Sequence, residues 1–186
     1  MRIITGSAKG IRLKTLEGDA TRPTSDRVKE AVFSMIQFDI EGRTVLDLFS
    51  GSGQLSLEAL SRGAKHATLV DKSKEAISII KENISKTHFN DSCTVYQSDY
   101  LDFIKRNCGQ QFDIIFLDPP YAQKMYAPAL RAMIENKILK PTSLIICESD
   151  QETVFDKDAK LEAEFVIEKQ SKYSRTYITI FKLKEQ

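Results

Sequence analysis

RTVLDLFSGSGQLSLEALSRGAKHATLVD, residues 43–71, decides the fold. RTVLDLF (43–49) is an apolar run of strand length that ends in a glycine-bearing turn, and LSLEALSRG (55–63) has helical patterning and stops at Gly63. ATLVD (67–71) is a second apolar run. Strand, turn, helix, strand is the unit of a parallel sheet, because a parallel neighbour can be reached only through a crossover.

The same alternation continues downstream. SKEAISIIKENISK (73–86) reads as a helix with Ser73 as its N-cap, CTVYQSD (93–99) as a third strand and YLDFIKRN (100–107) as a short helix. FDIIFLD (112–118) is a fourth strand, a helix is expected from about Pro128 within MYAPALRAMIENK (125–137), and LIICES (144–149) is a fifth strand. The tail FVIEKQSKYSRTYITIFKL reads as two further strands around a turn. The expected fold is therefore α/β, a Rossmann-like, mostly parallel seven-stranded sheet with helices on both faces. Continuously apolar strands such as IIFL agree with it, since both sheet faces are then covered.

Upstream, RIITG and IRLKTL flank AKG as a hairpin or two short strands, and TRPTSDRVKEAVFSMIQF is a helix capped by Ser25. Residues 1–40 are thus expected as a basic hairpin and helix, and residues 41–186 as the sheet domain. Net charge is only +1, yet residues 1–29 hold seven basic side chains against three acidic ones. Such asymmetry suits a nucleic-acid partner, although a solvated surface would also produce it. With 41% hydrophobic and 28% charged residues, the chain has an ordinary globular composition. No apolar run reaches the ~20 residues that span a bilayer. Cys93, Cys108 and Cys147 form no CxxC pair, and MRIITGSAKG has no apolar leader core; both fit a cytoplasmic protein. His66 and His88 lack ligand spacing, so no metal is expected.

In open α/β sheets ligands sit at the carboxyl ends of the strands, and the unusual residues fall there. DLFSGSG places Asp47, Phe49, Ser50, Gly51 and Gly53 after the first strand. Glycine lets backbone approach a ligand, though a tight connection would also select it. The second strand ends in Asp71, followed by Lys72, where an acid can bind the hydroxyls of an adenosine ribose or simply cap a helix. Asp99, before Tyr100, can accept from an adenine amino group or cap the next helix. The fourth strand ends in Asp118, Pro119, Pro120 and Tyr121. Two prolines fix the backbone after the acid, and a tyrosine offers a face for a base. This construction suits the gripping of an exocyclic amino group.

Together DLFSGSG, Asp71, Asp99 and DPPY resemble the class I S-adenosylmethionine-dependent methyltransferases that act on amino nitrogens. More narrowly, RIITGSAKGIRLKT, RPTSDRVKEAVFSMI and VLDLFSGSGQLSLEALSRGA resemble the bacterial 16S rRNA guanine-N2 methyltransferases that modify guanine 966. The chain departs from that family at Ser50, at Gln54 to Ser56, at Asp71 (commonly Glu), and at KYSRT (172–176) in place of a KxYGxT pattern. The resemblance implies S-adenosyl-L-methionine as methyl donor, held by Asp47, Phe49, Ser50, Gly51, Gly53, Asp71, Lys72, Asp99, Tyr100 and Asp118. It implies catalysis by Asp118, Pro119, Pro120 and Tyr121, and 16S rRNA as partner, within a small ribosomal subunit or assembly intermediate. Arg2, Lys9, Arg12, Lys14, Arg22 and Arg27 would meet the phosphates. Two other readings compete: an adenine-N6 methyltransferase of DNA or RNA, and a non-catalytic RNA-binding assembly factor on the same fold. A sequence-specific DNA enzyme usually carries a separate recognition domain, and a pure binder needs no amino-group grip.

Overall fold

The computed structural model describes residues 1–16, 26–120 and 124–184. Its elements are α1 (Asp26–Met35), β1 (Thr44–Asp47), α2 (Gln54–Ser61), β2 (His66–Asp71), α3 (Lys74–Thr87), β3 (Cys93–Gln97) and α4 (Tyr100–Arg106). They continue with β4 (Phe112–Leu117), α5 (Tyr126–Glu135), β5 (Leu139–Ser149), α6 (Ala159–Ala163), β6 (Phe165–Tyr173) and β7 (Thr176–Leu183). The seven strands form one sheet in the order β3-β2-β1-β4-β5-β7-β6, with β7 antiparallel to both its neighbours. One apolar cluster joins α1, α2 and α3 to one face of the sheet, and a second joins α4, α5 and α6 to the other.

Most expected elements are present, with three differences. The leading hairpin makes only one isolated antiparallel bridge, Arg2 to Arg12, rather than two strands. β5 begins at Leu139 instead of Leu144, because Lys140 to Ser143 bulge out between the pairs Leu139–Phe112 and Leu144–Ile114. Pro141 can therefore sit inside a central strand without costing a ladder bond. Ser143 Oγ seals the bulge, donating to the Phe112 carbonyl at 2.6 Å and accepting from Lys140 N at 2.7 Å. The third difference is α6, a short helix that sequence patterning did not announce; Asp158 caps it by accepting from Lys160 and Leu161 N–H groups. The expected Ser25 cap lies outside the described residues.

All eight residues of α2 are buried, including Glu58. A helix apolar on one face only could not be; α2 is covered on its outer side by the leading segment. Glu58 accepts from the backbone N–H groups of Ile4 (2.7 Å) and Thr5 (3.1 Å) and from Arg62 Nε (2.8 Å). Lys29 Nζ, fully buried, lies 3.5 Å from Glu58 and donates to the Arg2 carbonyl at 2.5 Å. Burial pushes the Lys29 ammonium below its ordinary pKa while Glu58 pulls it back up. Both Glu58 oxygens are thus engaged, and removal of Glu58 would leave the Lys29 ammonium buried without its carboxylate. Ser61 continues the clamp, donating to the Thr5 carbonyl and accepting from Ala8 N–H.

The hairpin passes so close to α2 that a Cβ on Gly6 would stand 1.6 Å from the Ser61 carbonyl oxygen. Gly10 has nearly the same φ, +87° against +88°, yet its Cβ would meet nothing within 4 Å. An alanine at either position bears the left-handed backbone cost of about 1–2 kcal/mol, but only Gly6→Ala also forces the hairpin off α2. In urea unfolding, Gly6→Ala should lose clearly more stability than Gly10→Ala. Equal losses would show that the close approach does not exist.

Candidate active site

The strand order reverses between β1 and β4, since the chain builds outward from β1 to β2 and β3 and then returns to start β4 on β1's other side. Crossovers leaving in opposite directions open a crevice at the carboxyl ends of these two strands. The Leu48 N–H still reaches the Phe116 carbonyl at 3.4 Å, so the two strand ends stay side by side.

On the β1 side the glycine turn is pinned from several directions. Ser50 N–H donates to the Val70 carbonyl (3.0 Å), Ser50 Oγ donates to the Asp47 carbonyl (2.8 Å) and accepts from Val70 N–H (3.0 Å). Asp71, at the end of β2, takes the Gly51 N–H on one carboxylate oxygen (2.9 Å) and the Ser73 N–H on the other (2.8 Å). It is therefore a brace for the turn, while Ser73 is the actual cap of α3. Each carboxylate oxygen keeps a further lone pair for a ligand hydroxyl. The two glycines differ in role. A Cβ on Gly53 would press on Leu69 at 3.0 Å and touch Ile80 and Leu57, whereas one on Gly51 (φ +54°) would meet nothing within 4 Å. Gly53 is a packing glycine and Gly51 faces open space.

Asp99 caps α4 by accepting from Leu101 N–H at 2.9 Å. The Phe49 ring packs on Tyr100 with centroids 5.0 Å apart, joining the β1 turn to the tip of β3. Burial, and then the Asp99 charge, raise the Tyr100 hydroxyl pKa. Lys72 is exposed beside the brace. On the β4 side, Asp118 is half-buried, Pro119 buried and Pro120 exposed. Asp118 stands close enough to Cys147, on the neighbouring strand, for its charge to add to burial in raising that thiol. Tyr121 lies outside the described residues, as does Arg22. Arg2, Lys9, Arg12, Lys14 and Arg27 are all exposed, with Arg2 3.9 Å from Asp26 and Lys14 paired to Glu82 at 2.9 Å.

Sequence reading passed over two residues that assemble this region. Asn83 is fully buried on α3; its Oδ1 accepts from Lys14 N–H (2.8 Å), and its Nδ2 donates to the carbonyls of Lys14 and Ser52 (2.9 Å each). It ties the basic leading segment to the glycine turn. Glu58 is the other, and a single carboxylate inside LSLEALS was its available signal.

Asp47 lies beneath the turn at 2% exposure. Ser56 Oγ donates to its Oδ2 at 3.1 Å, while Oδ1 has no partner at hydrogen-bonding distance and geometry; the Phe49 amide acts on the carboxyl from further off. Burial therefore dominates and raises its pKa from 3.8 to about 7. Between those values the folded chain keeps a proton that the unfolded chain has released, so this group's contribution to stability falls as pH rises through that window and is flat above it. Asp47→Asn should gain stability relative to the unsubstituted protein as the pH moves from 4 to 7, read by urea unfolding; parallel curves would refute the burial effect.

Residues 1–182 match the family model described as "Conserved hypothetical protein 95". The chain is 37% identical over 186 residues to "Putative rRNA methyltransferase YlbH" of Bacillus subtilis, covering 98% of each chain. It is 37% identical over 154 residues to "Ribosomal RNA small subunit methyltransferase D" of Haemophilus influenzae, covering 82% of this chain and 80% of that one. Among solved structures, "Putative methyltransferase yhhF from Escherichia coli" superimposes with a TM-score of 0.85 at 27% identity, over 100% of this chain and 99% of that one. The sheet is thus that of the class I methyltransferases. With one family model spanning nearly its whole length, the chain belongs to the Conserved hypothetical protein 95 family.

Proposed function

We propose that the chain is an S-adenosylmethionine-dependent rRNA methyltransferase that modifies the exocyclic N2 of guanine 966 in 16S rRNA, presented by the small ribosomal subunit or an assembly intermediate. The observation that carries the reading is the reversal of strand order between β1 and β4, with a braced glycine turn after one strand and an acid followed by two prolines after the other. The names of the relatives support it: each is called a methyltransferase, and the curated ones an rRNA or small-subunit rRNA methyltransferase.

The residues fit the methyl donor. Open space over Gly51 is where a ligand would lie against the turn, and Asp71 offers its free lone pairs beside it. Phe49, Ser50, Lys72, Asp99 and Tyr100 would complete the surround, and Asp47 would act from below by holding the turn through Ser56 and Ser50. When bound, the donor would supply an electrophilic methyl group.

The chain's own task is to make a poor nucleophile react. The lone pair of guanine N2 is delocalised into the ring. Asp118 and the Pro119 carbonyl accept the two N2 hydrogens, which turns the lone pair out of conjugation and aims it. Positive charge grows on N2 during transfer, and the Asp118 carboxylate stabilises it and takes up the departing proton. The proline pair fixes these acceptors before substrate arrives, so little reorganisation is needed. Tyr121 stacks on the base. Extraction of the base from its stack costs a few kcal/mol, which phosphate contacts at Arg2, Lys9, Arg12, Lys14, Arg22 and Arg27 offset.

Asp118→Ala should still bind S-adenosylhomocysteine and lose about 10²–10³-fold in methyl transfer, measured with a radiolabelled donor on small subunits. The wild-type product, digested to nucleosides, should be N2-methylguanosine. Near-normal turnover by the variant would remove Asp118 from its role, and N6-methyladenosine in the digest would overturn the choice of base.

A further inference from the structure

The turn between β6 and β7 is tied by register to the acidic end of β4. Leu117 pairs with Cys147, Cys147 with Thr179, and two residues further along Ser149 pairs with Tyr177, which faces Lys172. Tyr177 therefore stands level with Pro119 at two strand spacings and Lys172 at three, or about 10 and about 14 Å across the sheet edge. Beyond them the hairpin closes through the pair Tyr173–Thr176, leaving Ser174 and Arg175 as its two-residue turn. The turn overhangs the same edge as the crevice.

Its side chains are arranged for an anion. Lys172 Nζ donates to the Tyr177 hydroxyl at 2.8 Å and lies 4.7 Å from the centre of the same ring, so the ammonium is held in place by a neutral group. Glu152 acts on it through space, without an ion pair. Arg175 is exposed at the apex and has no ion-pair partner among the described residues. Lys14, Lys86 and Arg131, by contrast, sit on carboxylates, while Lys9, Arg12 and Arg27 share the open state of Arg175 among the described residues. Tyr173 packs into the α1-side cluster and fixes the base of the turn. Ser174 holds φ +58°, a backbone state that glycine adopts at lower cost.

The basic end of the molecule rises to meet this turn. Lys169, Ile180, Ile146 and Phe116 form one row across the sheet. α1 is level with that row near its carboxyl end, since Phe33 packs on Phe116 and the Met35 carbonyl accepts from Lys169. Helix α1 then leads down to the start of β1. Its first residues, Asp26 and Arg27, consequently project about 10 Å beyond the row at 1.5 Å per residue. Tyr173, four residues past Lys169, rises about 13 Å.

We propose that the β6–β7 turn is a second RNA-binding surface, with Lys172 and Arg175 contacting the backbone phosphates of the strand that flanks the target nucleotide on the β5 side. This rests on the rRNA methyltransferase reading. Prearranged cations lose less side-chain freedom on binding than solvated ones. With Arg27, which the same geometry brings to their level, they form one basic rim along which the strand lies while one base is drawn into the crevice.

Binding of the full chain to a labelled 16S RNA fragment containing guanine 966 is to be followed by anisotropy across a salt titration. The double variant Lys172→Ala/Arg175→Ala should reduce the slope of log K against log salt by about 1.4, the ~0.7 per contact of a single strand. It should bind S-adenosylhomocysteine as the wild type does, which shows that it is folded. Lys9→Ala/Arg12→Ala serves as the comparison for loss at the leading segment. A double variant with the wild-type slope and affinity overturns this surface alone. A wild-type chain without affinity for the RNA overturns both this surface and the function on which it rests.

Discussion

The reversal of strand order between β1 and β4 is the constraint on which the molecule depends. A parallel sheet built outward in both directions from its centre must leave adjacent loops diverging there, and a polar crevice results at the one place where two strand tips lack a covering crossover. Asp47 and Gly51 on one side and Asp118 on the other flank that gap. The apolar strands, β4 above all, supply a rigid floor because both their faces are buried. The turn after β1 is then held by bonds from β2 and α3 as well as by its own Ser50.

Rigidity and openness are divided between neighbouring residues. Gly53 is packed against Leu69 and Ile80, whereas Gly51 opens outward. Asp47 is buried with one oxygen unpartnered, and Asp71 is braced by two amides yet retains acceptor capacity. A buried acid with a raised pKa lies below the turn and a half-exposed acid beside it. Burial pushes the inner one up to about 7, and the outer one keeps acceptor capacity at the surface of the turn. On the facing strand, prolines do for Asp118 what hydrogen bonds do for Asp71.

Legibility in the sequence followed the range of the interaction. Apolar periodicity and glycine or serine punctuation are local, so the alternating elements from β1 to β4 could be read directly, and so could the acids that end the strands. The caps Ser73 and Asp99 could be read too, although Asp71 proved to brace Gly51 twenty residues away rather than cap α3. What escaped depended on partners far along the chain. Pro141 looks like a strand breaker until Phe112 and Ser143 show that a bulge absorbs it. Glu58 looks like a surface charge on a helix until residues 4 and 5 wrap over it. Asn83 is one polar residue among many on α3 until Lys14 and Ser52 meet it. Segment-to-segment pairing of this kind leaves no period to detect.

The leading segment is accordingly part of the architecture of the site and more than a charged appendage. Lys29, Glu58, Ser61 and Asn83 fasten it to α2 and α3, and its apolar residues Ile3, Ala8 and Leu13 share the core of the α1–α3 face. A crystal structure of the chain with S-adenosylhomocysteine tests the central claim most directly. The account requires the adenosine ribose to hydrogen-bond the Asp71 carboxylate, the ligand to pass over Gly51, and its sulfur to face Asp118. A ligand bound elsewhere, or one whose sulfur points away from β4, would contradict it.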